Sequence, residues 1–134
     1  MALARWGDPA QKRHLGVFGA FVCAPDQRVN AAPYFFDAGL VDYGFLPSRP
    51  RDFAGFGVAY GSYGGDLRRA EAVQAVTDPA VGVQSWEMTL ELNYGCTVRP
   101  GLLVQPDLQY IVNPGGNKAA PNALAVGVNV VFNF

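Results

Sequence analysis

The sequence is short of the features that mark most chemistries. Only 16% of its 134 residues are charged, and ten basic residues against eleven acidic ones leave a net charge of −1. A nucleic-acid binder would normally carry a basic face, and this balance argues against one. There is one histidine, His14, with no companion residues for metal or triad chemistry. The two cysteines, Cys23 and Cys96, are too few for a disulfide scaffold and form no CxxC pair. No GxxxxGK(S/T) motif occurs, and the glycines at Tyr63–Gly65 and Pro114–Gly116 are turn chemistry rather than phosphate cradles. No cofactor, metal or catalytic residue is expected. No window approaches the ~18 continuous apolar residues of a transmembrane helix. The opening stretch, MALARWGDPAQKRHLG, also lacks an apolar core of signal-peptide length. The expectation is that the natural N-terminus lies upstream of it.

What the chain does have is apolar content of 50%, aromatic content of 13%, 16 glycines and 10 prolines. The apolar residues alternate with polar or glycine positions, which suits an all-β chain with turns. The clearest segment is Ser85 to Cys96. Trp86, Met88, Leu90, Leu92 and Tyr94 share one parity, and Glu87, Thr89, Glu91, Asn93 and Gly95 share the other. Side chains alternate across a strand, so this segment has one apolar and one polar face. Leu102 to Asn113 repeats the pattern, with Leu108, Tyr110 and Val112 opposite Gln105, Asp107 and Gln109. So does Leu124 to Phe134, with Val126, Val128, Phe132 and Phe134 opposite Asn129 and Asn133. Phe53 to Tyr63 and Tyr34 to Leu46 are weaker, the latter placing Asp37 opposite Phe36 and Ala38. Leu15 to Cys23 is apolar on both parities.

These are six candidate strands, close to the ~9–11 residues that a tilted strand needs to cross a bilayer. Residues 1–13 read as a lead-in and residues 14–134 as an incomplete barrel domain. The connectors alternate: Pro47–Asp52 and Cys96–Gly101 are short, whereas Ala24–Pro33, Gly64–Gln84 and Pro114–Asn122 are longer. Short turns on one side and long loops on the other are a membrane-barrel signature. Asp66 to Val76 has room for a short helical turn but reads as an external loop. Pro106 lies mid-strand and cannot donate to the ladder, so a bulge or kink is expected there.

Which face meets water decides the class. In a soluble sandwich or lipocalin-like barrel the apolar face points inward; in a membrane barrel it points to lipid. Trp86 and Tyr94 sit near opposite ends of one strand, about a bilayer core apart at ~3.3 Å per residue, as two interfacial girdles would. The chain also offers no helix or second sheet to cover an apolar face. The membrane reading is favoured, with a soluble β-barrel binding protein as the alternative.

Several stretches resemble the carbohydrate-selective porin family, OprB. They are YFFDAGLVDYGFLPSRPRD (Tyr34 to Asp52), FAGFGVAYGSY (Phe53 to Tyr63), WEMTLELNYGCTVRPGLLVQPDLQYIVNPGG (Trp86 to Gly116) and NALAVGVNVVFNF (Asn122 to Phe134). GVFGAF and the AP that follows it, Gly16 to Pro25, resemble it too. The resemblance implies an antiparallel up-and-down transmembrane β-barrel of sixteen strands in the bacterial outer membrane. Its activity would be passive diffusion of sugars such as glucose, and the chain would be its last six strands. About eight strands are needed to close the smallest membrane barrels, so the functional unit is expected to be longer than this chain. The alternative is a non-conducting, truncated remnant. The final strand resembles the signal read by the barrel-assembly machinery, and would close against a first strand that the chain does not contain. Outer-membrane lipid and, in some arrangements, further copies of the chain complete the implied partners.

On this reading the lumen-lining candidates are Asp37, Glu87, Glu91, Asn93, Gln105, Asp107, Gln109 and Asn129. The aromatic girdle is Trp86, Tyr94, Tyr110, Phe132 and Phe134. The carboxylates either bond sugar hydroxyls or only hydrate the wall and pair with basic residues elsewhere. Glu87 and Glu91 lie ~13 Å apart along one strand, too far for the roughly 5–9.5 Å of glycoside hydrolysis. Asp42 falls on the lipid-facing parity, which requires either the membrane interface or a register shift there. Ala20 stands where relatives often carry a basic lumen residue.

Overall fold

The structure, a computed structural model, describes residues 2–6, 13–78 and 80–133. Among the described residues seven antiparallel strands form one sheet in chain order: β1 (Ala2–Trp6), β2 (His14–Cys23), β3 (Tyr34–Tyr43), β4 (Phe53–Ser62), β5 (Trp86–Arg99), β6 (Leu102–Val112) and β7 (Ala123–Phe132). Every neighbour in sequence is a neighbour in space, the up-and-down topology expected. The strand count differs by one from the six read in the sequence. Ala2–Trp6 lies inside the expected lead-in, yet it pairs with β2, Trp6 opposite Leu15. Five residues are too few for alternation to stand out. Residues 7–12 of that lead-in, and Phe134 of the expected girdle, lie outside the described residues.

A second difference is α1 (Gly65–Thr77), a 13-residue helix where a loop was expected. It buries none of its residues, so it has no apolar stripe for the sequence to display. A third concerns Pro106. Pairing with β7 runs straight through Pro106 opposite Val128, and the register against β5 is the same on both sides of it. The irregularity on β5 comes instead between Thr97 and Arg99, beside the turn.

The sheet has no hydrophobic core among the described residues. Phe21, Leu124 and Val126 are 67, 66 and 76% exposed. Along β6 the polar Gln105, Asp107 and Gln109 are half-buried while Pro106, Leu108 and Tyr110 between them are exposed. That is inside-out relative to a water-soluble sheet, which hides its apolar face. β1 and β7 are the two edges.

At one end the strands are joined by tight turns. Gly44 and Gly101 there take positive φ of 67° and 82°. At the other end the three long connectors are tied together. Gln27 Oε1 accepts the Gly65 amide at 2.5 Å, and Glu71 of α1 accepts the Gln84 amide at 2.7 Å. Gln84 Nε2 donates to the Gly115 carbonyl at 2.6 Å, and the Ser85 amide donates to that of Gly116 at 2.8 Å.

Candidate functional site

Register assigns each residue to a face, because directly paired residues on antiparallel strands point the same way. One transverse row runs Phe18, Gly39, Gly57, Glu91, Gln109, Ala125. The row on its short-turn side runs Gly16, Val41, Gly55, Asn93, Asp107, Gly127; on the other side lie Ala20, Asp37, Ala59, Thr89 and Ile111. Gln105 and Asn129 pair directly. All eight lumen candidates therefore share one face, and the described girdle residues Trp86, Tyr94, Tyr110 and Phe132 share the other.

Not all eight polar residues are brought together. Glu91 is the hub: Asn93 Nδ2 donates to its Oε1 at 2.9 Å and Gln109 Nε2 to its Oε2 at 3.1 Å. Asp107 sits beside Asn93, its carboxylate lying over Gly127. Asp37 stands apart, two strands from Glu91. Glu87 is drawn to the loops, where it accepts the Gly115 amide at 2.5 Å. The order along the middle of the wall is thus a fixed carboxylate–amide cluster on β5–β6, a bare stretch on β3–β4, and an aromatic, Phe18, on β2. The bare stretch comes from Gly39, Gly55 and Gly57.

The apolar face has interfacial features at both ends. Trp86 stacks on Tyr60 with ring centroids 5.9 Å apart, and Phe21 on Tyr34 at 6.5 Å. At the short-turn end, Asp42 on this face is held by Arg13, Nη2 to Oδ2 at 2.8 Å. That answers the question Asp42 posed: no register shift is needed, since the carboxylate sits next to the strand's end with a cation.

The sequence reading missed a second polar cluster. Asp52, 2% exposed, is buried in the β3–β4 turn. Its carboxylate accepts from Arg49 Nε, from the Tyr94 hydroxyl and, at 2.9 Å, from the Thr97 amide. The hydrogen bond from Arg49 holds the acid down at about 2; Tyr94 and Thr97 add to that, and burial opposes it. Arg49 Nη2 also reaches Cys96 Sγ at 2.9 Å and the Thr97 carbonyl at 3.3 Å. Within PSRPRD only the turn was legible, since three charged residues in six give no hint of which one is buried. Cys23 and Cys96 are both free.

Residues 2–134 match the carbohydrate-selective porin, OprB family. The chain belongs to that family. It is 32% identical over 130 residues to Porin B of Pseudomonas aeruginosa, covering 91% of this chain and 28% of Porin B. It also superposes on the high-pH structure of Pseudomonas putida OprB with a TM-score of 0.86 and 32% identity, over 92% of this chain and 31% of that one. The chain therefore spans less than a third of the length of these OprB-family relatives. As a member of the family it is a bacterial outer-membrane β-barrel protein. Its relatives are porins, which are channels rather than enzymes.

Proposed function

We propose that this chain forms part of the wall of a water-filled outer-membrane channel through which sugars diffuse passively. The observation that carries this is the inverted burial along β6. Gln105, Asp107 and Gln109 are half-buried there, while leucine, valine and aromatic side chains of β6 and β7 on the opposite face stand exposed. Water on the first side and hydrocarbon on the second satisfy both faces. The polar lining offers paired donors and acceptors to sugar hydroxyls without any step of chemistry, so selectivity rests on pore width and lining groups.

The open edges of β1 and β7 bear on the functional unit. An unpaired edge in hydrocarbon costs several kcal/mol per unsatisfied group, so both edges pair with further strands in the working barrel, sixteen in all on the family resemblance. The short turns face the periplasm and the tied loops face outward. β7 serves as the strand that the assembly machinery reads. Liposome swelling tests the reading. Vesicles containing the barrel that carries this chain should swell in isotonic glucose, and vesicles containing the isolated chain should not. Swelling by neither abandons the channel in favour of a non-conducting remnant.

A further inference from the structure

The bare stretch of the polar wall is shaped as a site. In the row Phe18–Gly39–Gly57–Glu91 the two middle residues have no side chain. Strands lie ~4.8 Å apart, so about 14 Å separates the backbones of Phe18 and Glu91. Side chains lean into this gap from both sides. The Phe18 ring lies over Gly39, where an added Cβ would come within 2.5 Å of its Cζ and 2.6 Å of its Cε1, and reaches toward Gly57, where the corresponding distance is 3.8 Å. From the other side Asn93 lies over Gly55, its Oδ1 2.6 Å from where a Cβ would stand. A hollow of about 250 Å³ remains between them, with Asp37 and Glu91 in its lining. That is somewhat below the range typical of drug-sized ligands, a scale suited to a single sugar ring.

We propose that this hollow is a weak pyranose-binding station on the channel wall, with Phe18 as its platform and Glu91, Asn93 and Asp37 as its polar side. The inference rests on the sugar-channel reading and goes beyond it by assigning residues. A pyranose has flat C–H faces and a hydroxyl-bearing edge. The Phe18 ring offers a flat apolar surface to the first. Carboxylates accept strongly from hydroxyls, and an amide both donates and accepts. Glu91 is already fixed by Asn93 and Gln109, so little ordering is needed when a sugar arrives. A phenylalanine over glycines could also serve only to fill space. Leucine fills the gap without a flat face, whereas tyrosine keeps one, so these two substitutions separate the roles.

The test is the current through single channels of the barrel that carries this chain, in KCl with increasing glucose. Glucose should reduce the wild-type current with a measurable half-saturation, and sorbitol, an open-chain polyol, should do so far less. F18L should raise the glucose half-saturation roughly three- to tenfold. E91Q should raise it by a similar factor, and F18Y should match wild type. Unchanged half-saturation in F18L and E91Q, in a channel whose wild type senses glucose, overturns the station and leaves the sugar channel standing. A wild type indifferent to glucose overturns both. Should F18L fail to assemble, E91Q and F18Y decide the question.

Discussion

The Tyr94 hydroxyl donates to the Asp52 carboxylate, joining the β3–β4 turn to a strand 42 residues further along. Arg49 and the Thr97 amide converge on the same acid. The turn is thereby fastened to the base of β5 by bonds to a charged acceptor, which are stronger than neutral ones. Y94F should lower stability by about 1.5–3 kcal/mol. D52A, which leaves Arg49 without its carboxylate, should cost more. Urea titration of the vesicle-folded barrel reads both, and a Y94F barrel as stable as wild type would show that the bond contributes nothing.

The same acid predicts a pH response. Its carboxyl is lowered in the folded state, from 3.8 to about 2. The stabilisation is therefore fully present above the ordinary value and is lost as pH falls through the folded one. Resistance of the barrel to detergent unfolding should drop between about pH 4 and pH 2. In D52N that step should shrink, because the titrating group is gone. An identical acid profile in both proteins would rule out Asp52 as its source.

Leu90 and Thr89 are adjacent in sequence but point to opposite faces, Leu90 paired with Val58 and Tyr110, Thr89 with Ala59 and Ile111. L90R places a charge in mid-bilayer and should cost about 2–4 kcal/mol in vesicle folding, whereas T89R, facing water, should cost little. Equal costs would contradict the assignment of faces.

Gly39 is required by close approach and Gly61 is not. A Cβ at Gly39 would stand 2.6 Å from the Phe56 carbonyl oxygen as well as against the Phe18 ring, and backbone cannot step aside. At Gly61 its nearest neighbour would be Phe35 Cδ2 at 3.8 Å, ordinary contact. G39A should destabilise by about 1–3 kcal/mol and G61A by less than about 0.5 kcal/mol, measured by the same urea titration.

The faces of β5, β6 and β7 were legible in the sequence because charged, amide and apolar residues alternate there with the strand's own period of two. β2 was not, because both of its parities are apolar; only pairing with Gly39 shows that Phe18 joins the polar face. The same silence hid the hollow, since a site floored by glycines is made of what is missing. Asp52 was hidden for another reason: burial of a turn carboxylate depends on Tyr94 and Thr97, which are distant in sequence. α1 escaped because an exposed helix carries no apolar stripe, and β1 because ALARW is too short to show alternation.

The tied loops carry a consequence for how the chain can change over time. Gln27 bonds the backbone of Gly65, Glu71 that of Gln84, and Gln84 and Glu87 both that of Gly115. Surface loops ordinarily vary independently, tolerating insertions one at a time. Here a deletion near Gly115 removes the acceptor for Gln84 and the donor for Glu87 at once, and the loss of Gln27 releases the start of α1. Sequence drift in the three connectors should therefore be epistatic: changes that are harmful singly become acceptable only in combination, and the rim diversifies as a unit.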